Sequence, residues 1–113
     1  EQVEAALVPL TSLTHAPVVV TLGERGMLVS HPEPEFVPGV RRDGLLDSTG
    51  AGDSATAGCV LGLASGATLA EAALLGNLVA SITVEQLAVT GTASLQQLRQ
   101  RLEIWREQNP ALP

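Results

Sequence analysis

Leu46-Asp47-Ser48-Thr49-Gly50-Ala51-Gly52-Asp53-Ser54-Ala55 joins a short apolar lead to a glycine-rich turn and then to a long run of small and apolar residues. The run reads as a helix, and the turn places Gly50, Ala51, Gly52 and Asp53 at its N-terminus. The first backbone N–H groups of a helix have no intrahelical acceptor, and the helix dipole adds partial positive charge there. Glycines let backbone approach a ligand with no Cβ in the way. Such a place binds anions, phosphates above all. Asp53 is out of keeping with this: a first-turn carboxylate suits the helix but repels a phosphate, unless it acts beside one.

Upstream of the turn the pattern is mainly extended. Residues Glu1 to Leu13 carry apolar positions at Val3, Ala6, Leu7, Leu10 and Leu13, the spacing of a helix that Pro17 ends. Pro17 to Leu22 predicts a buried strand, Gly23-Glu24-Arg25-Gly26 a turn, and Met27 to Ser30 its hairpin partner. Phe36, Val37 and Val40 predict a further short strand, weakened by Pro38. Strand Val18 to Leu22 wants sheet neighbours on both sides, which these short segments scarcely supply.

Downstream the pattern is helical. Asp53 to Ser65 is rich in Ala, Gly, Leu and Val on all sides, which predicts a buried helix, with Ala57, Gly58 and Gly62 allowing close approach of a neighbour. Gly66 suits a C-terminal cap. Thr68-Leu69-Ala70-Glu71 and Ser94-Leu95-Gln96-Gln97 are capping boxes that open two further helices. The first runs to about Gln86 with Ala72, Gly76, Val79 and Thr83 along one side; the second carries the stripe Leu95, Leu98, Leu102 and Trp105. Short strands or a hairpin followed by three helices place the chain in the α/β class.

The 113 residues suffice for one small domain, and with only Phe36 and Trp105 as aromatics its core must be Leu, Val and Ala. All six basic residues are Arg, against twelve acids and a net charge of −6, which argues against general nucleic-acid binding. One cysteine, Cys59, permits no internal disulfide and sits in no metal-site spacing. The apolar run Ala55 to Ala64 is too short to cross a bilayer, so a soluble cytoplasmic protein with no membrane partner is expected. Glu1 opens inside a helical pattern, which suggests a fragment of a longer chain.

Gly50 to Ala55 fits more than one short pattern. The dinucleotide fingerprint G-x-G-x-x-[GA] requires a strand before it and a βαβ crossover after it, whereas two successive helices follow here. A P-loop is excluded because its lysine is absent. Gly52-Asp53-Ser54 also matches the nucleophile segment of GDS-type ester hydrolases, but both histidines, His15 and His31, lie upstream of where that family's base falls.

Asp47-Ser48-Thr49-Gly50-Ala51-Gly52-Asp53, followed by Ala57-Gly58, resembles the second signature of the ribokinase-like (PfkB) carbohydrate kinases. Val18 to Gly26 is similar to that family's nucleotide-contacting strand and turn, and Ala72 to Val84, with Asn77, resembles the helix that closes its adenine pocket. The resemblance covers about Pro17 to Ser94, with Cys59 a small departure from the signature.

This resemblance implies the C-terminal part of a ribokinase-like three-layer α/β/α fold, with residues 1–113 as the nucleotide-binding portion and the substrate-binding and lid portion absent. It implies ATP with Mg2+ as cofactor and a sugar or sugar phosphate as substrate, and leaves oligomeric assembly open. Asp53 would be the catalytic base, and Gly50, Ala51 and Gly52 the anion hole for the transferring phosphoryl group. Thr21, Gly23, Gly26, Gly52 and Asn77 would contact the nucleotide; a plain hairpin turn for the first glycines and a buried structural Asn77 remain open beside this. Asp47 and Thr49 match positions that help hold a monovalent cation such as K+, although the family's other cation ligands come from loops equivalent to Gln86–Ser94, where this sequence differs. The isolated piece is expected to show little or no turnover. The rival reading is a non-catalytic nucleotide-binding or regulatory module. Arg41 and Arg42 could face phosphate but read rather as solvated loop arginines, and His15, His31 and Trp105 carry no functional signal beyond surface or core roles.

Overall fold

A computed structural model describes residues 2–42, 50–86 and 92–111. Asp47 and Thr49, assigned to a cation above, lie outside the described residues. Helix α1 spans Gln2–Thr14, followed by strands β1 (Val19–Thr21), β2 (Gly26–Val29) and β3 (Glu35–Pro38), then helices α2 (Ala51–Ala64), α3 (Leu69–Thr83) and α4 (Leu95–Gln108). The strands form one antiparallel sheet in the order β1-β2-β3. Its register pairs Thr21 with Met27 and Met27 with Val37, so β2 is central and buried throughout.

The Gly23–Gly26 turn is a tight one. A single 3-10 turn, Gly23–Arg25, fills it, and Gly39 N–H donates to the Arg25 carbonyl at 2.9 Å, tying β3's far end to the loop. The expected buried strand Pro17–Leu22 is shorter and half-exposed: among the described residues β1 pairs only with β2 and so has one neighbour there, not two.

α2 and α3 pack side by side through small residues. A Cβ added at Gly58 would come within 3.0 Å of the Gly76 Cα, and one at Gly62 within 2.9 Å of the Ala72 Cα. The backbones can approach this closely only because those side chains are missing. Ala57, expected to share this role, faces outward. The expectation of a helix buried all round is also corrected: Val60 is 58% exposed and Leu61 57%. Only the face bearing Ala55, Gly58, Cys59 and Gly62 is covered. A helix apolar on every side has no periodicity to say which face a single neighbour will take.

The core lies between sheet and α3. Met27, Val29 and Val37 from the sheet meet Ala55 and Ala73, and a second cluster joins Val40, Leu78 and Trp105. Trp105 is buried from the α4 stripe, Leu98 and Leu102 pack partly, and Leu95 stays exposed. α1 is held chiefly by Leu7, 1% exposed, while Val8 and Leu13 face out.

Helix ends follow the sequence closely. Both capping boxes form, with Thr68 accepting from Glu71 N–H and Ser94 from Gln97 N–H. Past α2, Ala67 N–H donates to the Gly62 carbonyl and Gly66 N–H to that of Leu63, a Schellman closure around Gly66. Thr68→Ala removes one acceptor for an orphan N–H and is expected to lower stability by about 1 kcal/mol, read from the urea midpoint; a change within error would show that tertiary packing alone holds the start of α3.

Candidate functional site

Gly50 caps α2 in the left-handed conformation, φ 76°, and its carbonyl accepts from Ser54 N–H at 2.9 Å. Gly52, in the first turn, has nothing within 4 Å of where a Cβ would stand. Ala51 and Gly52 of this turn border a cavity of about 300 Å³. Thr21, Gly23 and Gly26 form one side of it, Ala51 and Gly52 the α2 side, and Asn77, Ala80 and Ser81 the α3 side. Residues separated by up to sixty positions in sequence thus share one concavity, and all five nucleotide positions expected from sequence line it.

Asp53 sits in the first turn of α2, exposed, next in sequence to the lining residues Ala51 and Gly52. Its carboxylate makes no side-chain hydrogen bond to a described residue. The amide of Asn77 is committed to structure as well as to the wall: its Nδ2 donates to the carbonyls of Val37 and Pro38 at 3.1 and 3.0 Å. The Pro38 carbonyl also accepts from Trp105 Nε1 at 2.8 Å. These bonds fix the segment after β3 that forms the cavity's far side, where Gly39 and Val40 also line it.

Arg42 corrects the reading of a solvated loop arginine. Its side chain is 24% exposed, lines the cavity and pairs with Glu85 Oε2. Glu85 Oε1 accepts from Arg101 of α4 at 2.5 Å. Arg101 in turn donates to the Ser81 carbonyl at 2.9 Å and to Ser81 Oγ at 3.0 Å. Burial opposes the charge on Glu85, but the hydrogen bonds and charges of Arg101 and Arg42 outweigh it and hold the carboxyl below the usual range. Glu85 therefore stays ionised at neutral pH. Arg41, by contrast, is exposed, and its backbone N–H and carbonyl bond the side chain of Gln108.

The sequence model of the pfkB family of carbohydrate kinases matches residues 1–95. Inositol 3-kinase of Arabidopsis thaliana is 47% identical over 70 residues, which are 62% of this chain and 20% of that protein. Among solved structures, the ribokinase of Thermotoga maritima superposes with a TM-score of 0.79 at 26% identity, covering 89% of this chain and 34% of that one. The ribokinase of Cryptococcus neoformans var. grubii serotype A, in complex with ADP, gives 0.75 at 26% identity over 87% of this chain and 33% of that one. The chain spans about a fifth of the length of the curated relatives it matches and about a third of these solved chains. The fold is ribokinase-like, and the sheet with its helices is one part of that larger α/β architecture.

Proposed function

The chain belongs to the pfkB family of carbohydrate kinases, and from that premise we propose that it supplies the nucleotide side of an ATP-dependent phosphoryl-transfer site acting on a sugar-type hydroxyl. One observation carries this reading: the cavity gathers the β1–β2 turn, the free N-terminus of α2 and the wall of α3 around a single opening. A turn with room for a base and a helix N-terminus for phosphates are the two recognition elements a nucleotide needs.

In this reading the substrate hydroxyl oxygen attacks the γ-phosphorus. The new O–P bond forms as the bond to the β,γ-bridging oxygen breaks, ADP leaves, and the hydroxyl proton passes to the Asp53 carboxylate. An alcohol is far less acidic than a carboxylic acid, so the proton moves late, as the O–P bond forms. The N–H groups of Gly50, Ala51, Gly52 and Asp53 stabilise negative charge gathering on the phosphoryl oxygens. Their donors are fixed by the helix and need no rearrangement at the moment of reaction.

The lining groups suit the nucleotide: a helix N-terminus suits its phosphates, and glycines leave the turn open to it. Mg2+ would come bound to those phosphates, for it characteristically keeps waters and substrate oxygens as ligands beside one or two carboxylates. When bound, the ion shields phosphate charge. The sugar-binding and lid residues belong, in this reading, to a portion outside residues 1–113, so the chain by itself is expected to bind nucleotide without turnover.

The test is calorimetric titration of the chain with ADP. Saturable binding in the micromolar to millimolar range, competed by ATP, is the expected result. No binding at millimolar ADP would remove the nucleotide site. Binding by the chain, with no sugar phosphorylated even when it is joined to a substrate portion, would favour the non-catalytic module instead.

A further inference from the structure

We propose that Arg42 is a ligand for the nucleotide's phosphates, and that Glu85 and Arg101 are positioning residues that hold its guanidinium at the cavity wall. The inference rests on the nucleotide reading above and deepens it by naming the charged group that meets the anion.

Arg42 is the one basic side chain among the described residues that line the cavity; Glu24 is the one acidic. An incoming polyanion is therefore drawn toward two places, the N-terminus of α2 and Arg42. The guanidinium has five donors and no acceptor. One nitrogen is used on Glu85. Its Nε is buried and has no partner among the described residues. Arg42 borders the opening, so the guanidinium's accessible N–H groups can meet a phosphate oxygen there in charge-assisted bonds.

Its position is set from outside the cavity. Glu85 bonds Arg42 with one carboxylate oxygen and Arg101 with the other. Arg101 is only 12% exposed in its side chain and is locked by two bonds to Ser81, so Glu85 has a fixed anchor. Two arginines on one carboxylate leave the trio with net positive charge, and Arg42 is the member that borders the opening. Arg101 lies on α4, beyond the residues matched by the family. A helix that packs on α3 and on the segment after β3 thereby reaches the nucleotide through one carboxylate.

The experiment compares ADP with adenosine, which share base and ribose and differ in the phosphates. Arg42→Met is expected to weaken ADP binding about 10- to 30-fold and leave adenosine binding within about twofold. Arg101→Met should weaken ADP about three- to tenfold, again sparing adenosine, because Glu85 loses its anchor. Arg42→Lys keeps the charge without the planar fork and should fall between wild type and Arg42→Met; it also serves if the methionine variant does not fold. Equal losses for ADP and adenosine, or none for either, would overturn the assignment, since both place Arg42 away from the phosphates. Wild-type chain that binds neither ligand would instead overturn the nucleotide reading itself and this inference with it.

Discussion

Asp53→Asn, placed in a kinase that carries this chain together with a substrate portion, is expected to lower kcat about 10²- to 10⁴-fold, the range for loss of a positioned general base. ADP affinity should be unchanged or slightly tighter, because the substitution removes a negative charge beside the phosphate site. The two measurements separate the two roles a first-turn aspartate can have. A carboxylate that only complements the helix dipole contributes about 0.3–1 kcal/mol of stability and nothing to catalysis. Asparagine has nearly the same shape, and Asp53 lies inside the helix that Gly50 caps, so the unfolding midpoint should move by no more than that dipole contribution. Asp53 is exposed on the first turn of α2 and makes no side-chain hydrogen bond to a described residue, so no internal network is broken by the change. A large loss in kcat with intact binding and stability can then come only from the missing proton acceptor. Unchanged turnover would remove Asp53 from the chemistry and leave it a helix-dipole residue.

How much of this was legible in sequence depended on the range of the interaction. The glycine turn, the hairpin, the Schellman glycine and both capping boxes are written within a few residues of themselves, and each forms where its residues stand. The cavity was legible as far as its glycines were, because Gly23, Gly26 and Gly52 mark places where backbone borders open space or other backbone. Arg42 was not. Its partner Glu85 is 43 positions away, and Glu85's anchor Arg101 a further 16, and neither spacing has a local signature. Asn77 shows the same limit: nothing near it in sequence says that its amide will hold the carbonyls of Val37 and Pro38, forty residues upstream. The exposed side of α2 was hidden for the opposite reason. Its residues are apolar in every direction, so hydrophobic pattern alone could not choose the face that meets α3.

Gly26→Ala is expected to cost more than about 4 kcal/mol, a large part of the stability of a domain this size. Gly26 holds φ 125° and ψ −142°, a region essentially confined to glycine. Geometry makes the change worse than the dihedral alone. An added Cβ would stand 2.1 Å from the Val37 carbonyl oxygen, 2.6 Å from Gly39 N and 2.8 Å from the Pro38 carbonyl carbon. All three are backbone atoms, and they cannot yield separately. Gly26 pairs with Pro38 in the β2–β3 register, Gly39 N–H is bonded to the Arg25 carbonyl, and Asn77 holds the Val37 and Pro38 carbonyls. Relief therefore requires opening the end of the ladder that forms a wall of the cavity, so ADP binding should be lost along with stability. Gly23→Ala is the control. Gly23 also has positive φ, 63°, but nothing lies within 4 Å of its Cβ position. It should lose only the left-handed penalty of about 1–2 kcal/mol. Urea unfolding of the two variants decides between clash and dihedral strain. If Gly26→Ala is no more destabilising than Gly23→Ala, the close approach of β2 to the Val37–Gly39 backbone is not what glycine is there to permit, and the wall of the site must be held by something other than this contact.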